Sequence, residues 1–156
     1  RYMNVYGLRQ DYQGVYIAVI MTILDRLDKG LPPIIYGDGS QAYDFINVID
    51  CAQANLCAMK ADTTDEFYNV GRGIRTTIKE LAELLLEITG SNLDIQYEPA
   101  GLSFVKNRIG CPVKARKEIG FEAKIELRKG LVDLIEFRKN HKIEVDKRRR
   151  EIGLSK

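Results

Sequence analysis

Between Ile34 and Asp50 a short apolar run, a Gly37-Asp38-Gly39 loop, a second short run and a helix start follow one another without interruption. The two glycines permit positive φ and close approach of a ligand to the backbone, while Ile34, Ile35, Phe45 and Val48 can anchor the flanking runs in a core. Those runs are too short for helices and rich in β-branched and aromatic residues. Ile34 to Tyr36 and Tyr43 to Val48 therefore read as strands around a loop built for a ligand or for a tight hairpin. A small α/β domain is the expected fold class.

Periodicity supplies the remaining elements. Val15, Val19, Ile20, Ile23, Leu24 and Leu27 recur at helical spacing until Gly30, Pro32 and Pro33 stop the pattern. Asp50 is placed to cap a helix running to Met59, with Gln53 at the reciprocal capping-box position and Cys51, Ala54 and Ala58 on a small face. Glu66 to Val70 is a strand candidate. Thr77 with Glu80 forms a capping box for a helix with the stripe Ile78, Leu81, Leu84, Leu85 and Ile88, ended by Gly90. Leu93 to Tyr97 alternates as a strand, and Pro112 suits the first turn of a short helix stopped by Gly120. Leu131, Leu134, Ile135 and Arg138 mark a last helix whose core-facing pattern fades beyond Asn140. One domain over residues 1–140 and a charged tail over 141–156 follow.

Composition narrows the function classes. A chain of 156 residues can bury a single core. A net charge of +2 spread over both signs gives no case for nucleic acid, and the basic cluster Lys147 to Arg150 reads as a solvated charge run. Cys51, Cys57 and Cys111 make an odd set without a Cys-x-x-Cys pair, which argues against a disulfide framework or a zinc site. Reduced thiols in a cytoplasmic protein are expected. No apolar run reaches the roughly 18 to 20 residues that span a bilayer. His141 is the only histidine, expected at an exposed helix end, so no histidine-based metal site or relay can be built.

Four segments carry a resemblance. They are Arg1-Tyr2-Met3-Asn4-Val5-Tyr6-Gly7, Tyr36-Gly37-Asp38-Gly39, Tyr43-Asp44-Phe45 leading through Val48 to Asp50, and Tyr68-Asn69-Val70-Gly71. In order and spacing they resemble the carboxy-terminal half of the extended short-chain dehydrogenase/reductases that act on nucleotide sugars, over roughly residues 1–138. The resemblance implies a small mixed substrate-binding domain lacking most of the Rossmann half, with residues 1–7 ending a Rossmann strand. It implies NAD bound mainly by the other half, a UDP-linked sugar as substrate, 4-epimerisation through a transient 4-keto sugar, and a homodimer at full length. The family's glycine-rich dinucleotide turn and its Tyr-x-x-x-Lys pair are not in these residues. No catalytic residue is therefore assigned, and the chain is expected to be inactive alone.

The resemblance also nominates site residues. Asn4 would contact the substrate through an amide that both donates and accepts, although an Asn before Tyr6-Gly7 also suits a turn. Tyr2 and Met3 would wall the nicotinamide. Gly37, Gly39 and Gln41 would lie beside the nucleotide, and Tyr36 would flank the base or belong to the core. Tyr43 stands where the family has a diphosphate-gripping Arg, and a phenol cannot supply the charged bidentate contact of a guanidinium. Arg108 is the preferred replacement, with Arg9 on a predicted loop as a further candidate and Arg72 and Arg75 read as surface residues. Cys111 replaces a capping Asp. Asp44 and Asp50 read as a buried or turn residue and a cap, neither catalytic. The changes at Tyr43 and Cys111 favour an alternative, a non-catalytic binding or regulatory relative.

Overall fold

The computed structural model describes residues 1–10, 18–100 and 106–151. In chain order these form β1 (Asn4–Tyr6), α1 (Val19–Asp28), β2 (Ile34–Tyr36), β3 (Ala42–Tyr43), β4 (Phe45–Asn47), α2 (Val48–Lys60), β5 (Thr76–Thr77), α3 (Ile78–Thr89), β6 (Gln96–Glu98), β7 (Asn107–Arg108), α4 (Val113–Ile119) and α5 (Leu127–Glu151). The fold is α/β as expected, with its strands in three small sheets: β1 beside β4, β2 beside β6, and β3 between β5 and β7.

Strand β4 organises the interior. All three of its residues are buried, as a strand covered on both faces must be. Because successive side chains point to opposite faces, Phe45 enters one apolar cluster and Ile46 the other. The larger cluster collects Ile20, Ile23 and Leu24 of α1, Leu81 and Leu85 of α3, and Leu131 and Leu134 of α5. The smaller joins Cys51 and Ala54 of α2 to Tyr68, Val70, Ala115 and Phe121.

Local signals set most helix ends. Thr77 Oγ1 accepts from the Glu80 backbone N–H at 3.0 Å while the Glu80 carboxylate accepts from Thr77 N–H at 2.7 Å, so the expected capping box is complete. Gly90 and Gly120 end α3 and α4 in the left-handed region, which costs a glycine little. The Val15 end of the first predicted helix lies outside the described residues.

Several expectations are corrected. Helix α2 is capped by Asn47, whose Oδ1 accepts from Ile49 N–H at 2.9 Å, and Asp50 sits inside the first turn. Asp50 is engaged elsewhere, accepting from the backbone N–H groups of Lys124 and Ile125 at 3.1 Å each. Ala58 is exposed, so the small buried face of α2 stops at Ala54. Glu66 to Val70 forms no strand, only an isolated bridge between Val70 and Tyr2. The run from Tyr43 to Val48 is broken at Asp44. Residues 141–151 continue α5, and His141 is not at its end: its ring is half-buried, stacked on Phe137 at 4.1 Å, with Nδ1 2.9 Å from the Phe137 carbonyl.

Candidate functional site

The Gly37–Gly39 loop is not a hairpin turn. The strands on either side of it do not pair with each other: β2 runs parallel to β6, and β3 joins β5 and β7. The loop therefore crosses between two sheets, held from several sides. Gly37 and Gly39 have φ of 80° and 75°. Ser40 N–H donates to Asp38 Oδ1 at 2.9 Å, and Lys79 N–H donates to the Gly39 carbonyl at 3.2 Å. Gln41 Nε2 donates to the Tyr36 carbonyl at 2.8 Å, so this amide braces the loop and keeps its oxygen and its second N–H open. A Cβ on Gly39 would sit 3.1 Å from the Lys79 Cβ. Tyr36 is exposed at 56 %, which removes the core reading of that residue.

Beyond the loop, β3 brings Tyr43 into register with Arg108 of β7 on one side and Thr76 of β5 on the other. Residues far apart in sequence thus become neighbours. Tyr43 is half-buried, its ring edge-on to Phe45 at 6.3 Å, while Arg108 is exposed. Asn4 lies in β1, aligned with Phe45, and its N–H donates to the Asp44 carbonyl at 2.9 Å. A strand residue cannot be the turn-former that the sequence allowed. Tyr2 and Met3 immediately precede β1 and pair with the segment at Val70. Tyr2 is exposed with its hydroxyl donating to Asn55 Oδ1 at 2.6 Å, and the half-buried Met3 side chain fills the space that a Cβ on Gly71 or Gly110 would need.

Two residues set the geometry without having been nominated for it. Arg75, read as a surface residue, donates from Nη2 to the Ser40 carbonyl at 3.1 Å and from Nε to Asn107 Oδ1 at 3.3 Å, tying the glycine loop to β7. Asp44, at 0 % exposure, accepts from Arg72 N–H and Gly73 N–H at 2.9 Å each. The sequence indicated burial of Asp44 but not its partners, because those amides lie in a remote loop. Both aspartates being occupied by backbone donors supports leaving them out of catalysis.

The remaining titratable groups supply no alternative chemistry. Burial, the largest influence, pushes the Tyr6 phenol up to about 12, with a hydrogen bond to Asn47 opposing it. It is no base near neutral pH. Burial and then the Asp50 charge push the Cys51 thiol up to about 11. Among the described residues no group of His, Cys, Asp and Glu side chains is placed to hold a metal, and no helix is long and apolar enough to cross a membrane. A cleft of about 120 Å³ lies between Gly71, Arg72, Ile74, Pro112, Arg116 and the Phe121–Ala123 segment, and none of the nominated residues lines it. Asn4 and Tyr43 are half-buried and Tyr36 and Arg108 exposed, all outside that cleft.

Comparison with known proteins identifies the family of the chain. The sequence model described as the NAD dependent epimerase/dehydratase family matches residues 1–71. A UDP-glucose 4-epimerase of Thermotoga maritima, solved with UDP-glucose, is 36% identical with a TM-score of 0.84, over 90% of this chain and 45% of that one. A UDP-N-acetylglucosamine 4-epimerase of Methanobrevibacter ruminantium, solved with UDP-N-acetylmuramic acid, is 30% identical with a TM-score of 0.84 over the same shares. A UDP-glucose 4-epimerase of Thermus thermophilus, solved with NAD, is 30% identical with a TM-score of 0.76, over 88% of this chain and 45% of that one. The chain spans less than half the length of the first curated relatives it matches. With the ordered motifs and the shared fold, these likenesses make the chain a partial member of the NAD-dependent epimerase/dehydratase family, similar to UDP-glucose 4-epimerases.

Proposed function

We propose that this chain is the nucleotide-sugar-binding portion of an NAD-dependent epimerase/dehydratase acting on a UDP-sugar, with 4-epimerisation through a transient 4-keto sugar as its reaction. The observation that carries the reading is that Asn4 and Arg108 are both bonded through their backbones to Asp44, beside Tyr43, while Arg75 ties the glycine loop to Asn107 next to Arg108. The relatives solved with UDP-sugars support the substrate class.

The roles follow from chemistry and placement. Tyr36, Gly37, Gly39 and the free oxygen of Gln41 form a rim suited to a base and ribose. Arg108 supplies the charged fork for a diphosphate, and the Tyr43 hydroxyl adds one neutral hydrogen bond. The Asn4 amide orients sugar hydroxyls. For NAD the chain fits only as a wall: Tyr2 offers an exposed aromatic face, whereas the Met3 side chain is committed to Gly71 and Gly110. Bound NAD would supply hydride-transfer chemistry at sugar carbon 4. The proton is handled by the family's Tyr-x-x-x-Lys pair, which is not in this sequence. The chain alone orients substrate without turning it over, and at full length it forms a homodimer.

Titrating UDP into the full-length protein and incubating the isolated chain with NAD and UDP-glucose test the two halves of this reading. Binding by the former and no product from the latter are expected. Turnover by the isolated chain, or no UDP binding at full length, would overturn it. The half-buried phenol at Tyr43, in the place of a cation, favours a second reading, a non-catalytic binding relative. That version requires a full-length protein that binds UDP but never interconverts UDP-sugars.

A further inference from the structure

Asp44 stands where the chain leaves one sheet and enters another. Its backbone N–H donates to the Arg108 carbonyl at 3.0 Å, and its carbonyl accepts from Asn4 N–H at 2.9 Å. Its carboxylate oxygens each accept one backbone N–H, from Arg72 and Gly73, at 2.9 Å. One residue thus ties together β1, β7 and the loop after Val70, while its chain neighbour is Tyr43. The carboxylate occupies the space beside Gly71 so fully that a Cβ there would lie 2.3 Å from Asp44 Oδ2.

A carboxylate is the only side chain of this size that accepts at both ends. Asparagine keeps the shape but turns one acceptor into a donor that faces a backbone N–H, leaving that amide buried and unsatisfied. The loop would loosen at that point. Because the Asp44 backbone sets where Tyr43 and Arg108 lie relative to Asn4, the disturbance reaches the diphosphate-binding pair first. The glycine loop has its own bonds to Arg75 and Lys79, independent of Asp44.

We propose that Asp44 is a positioning residue for the diphosphate subsite, a buried carboxylate that registers Tyr43 and Arg108 against Asn4 without touching the substrate. This rests on the nucleotide-sugar reading above. The test compares UDP and uridine binding by calorimetry, together with the amide proton shifts of residues 72 and 73, in the full-length protein and its Asp44→Asn variant. UDP affinity should fall about tenfold, as for loss of one charge-assisted bond, with uridine affinity changed by less than about twofold. The Arg72 and Gly73 amide protons should move upfield. Adding Arg108→Ala to the variant should weaken UDP binding less than it does in the wild type, since both act on one contact.

Equal losses for UDP and uridine would make Asp44 a general fold residue and overturn the proposal. Unchanged UDP affinity with displaced amide signals would do the same while leaving the proposed function standing. A wild-type protein that binds neither ligand would remove the proposed function itself. If Asp44→Asn does not fold, Gly71→Ala, whose Cβ presses on the carboxylate and also on Met3 Cγ, should give the same selective loss of UDP where a Met3→Ala control does not, and an equal loss of uridine again refutes the proposal.

Discussion

Gly130 lies in the first turns of α5, where helix propensity alone would favour alanine by about 1 kcal/mol. Packing reverses the sign. A Cβ at Gly130 would lie 2.2 Å from the Tyr6 hydroxyl oxygen, 2.8 Å from Asn47 Nδ2 and 2.9 Å from Tyr6 Cζ. Tyr6 is 1 % exposed, its hydroxyl donates to the Leu127 carbonyl at 3.4 Å, and Asn47 is the cap of α2, so neither neighbour can step aside cheaply. Relieving the overlap needs about an ångström of movement in the centre of the larger cluster, a kind of overpacking that costs roughly 1–3 kcal/mol. Disturbing the cap and the phenol's hydrogen bond adds about 1 kcal/mol. Gly130→Ala should therefore destabilise by about 2 kcal/mol net, read as a lower urea midpoint at unchanged slope. The cause is checkable in a Tyr6→Phe background. Deleting the nearest oxygen should recover at least about 0.5 kcal/mol of the cost. A Gly130→Ala variant as stable as the wild type, or more so, would refute the argument that contact outweighs propensity here.

Thr77→Ala should cost about 1 kcal/mol in thermal or urea unfolding, because it removes the acceptor for Glu80 N–H. Its Glu80 carboxyl, held below the usual range chiefly by the Thr77 backbone and hydroxyl bonds, should then titrate higher by NMR. Asp25 and Asp28 are partly buried, which alone would raise their pKa values, yet bonds from Lys29, Lys142 and Arg138 bring both below the ordinary value. A depressed folded pKa gives stability that is present above the unfolded value and lost as pH falls through the folded one. Wild-type stability should drop below about pH 4, and Arg138→Met should flatten that acid limb while costing about 1–2 kcal/mol at neutral pH, the carboxylates being partly solvated. An unchanged acid limb would sink the assignment. Iodoacetamide at neutral pH should label the exposed Cys111 first and the buried Cys51 only on unfolding, followed by peptide mass spectrometry.

Local patterns carried far here. The Thr77–Glu80 box, the stops at Gly90 and Gly120 and the stripe of α3 need only the residues within one or two turns, and all form as read. The ordered motifs around Asn4, Gly37–Gly39 and Tyr68 to Gly71 indicated the family before any contact was known. Where a tertiary partner intervened, the local reading failed. Asp50 was expected to cap α2, but the backbone amides of Lys124 and Ile125 take its carboxylate and Asn47, three residues earlier, is the cap.

The glycine loop shows the same division. Positive φ at Gly37 and Gly39 was legible from residue type, but a hairpin and a crossover between sheets require the same glycines. Only the partners of β2 and β3, supplied by β6 and by β5 and β7, decide between them. Arg75 and Asp44 were invisible as organisers for a related reason: Ser40, Asn107, Arg72 and Gly73 are their partners, and none is a sequence neighbour. The sequence by itself determined the helix stripes, the stops at Gly90 and Gly120 and the positive-φ glycines of the loop, since those follow from short-range sterics and hydrogen bonding. The tertiary structure alone decided that Tyr43 and Arg108 are register partners and that Asn4 bonds to the Asp44 carbonyl beside Tyr43, because strand register is set by contacts between segments whose spacing along the chain carries no local signal.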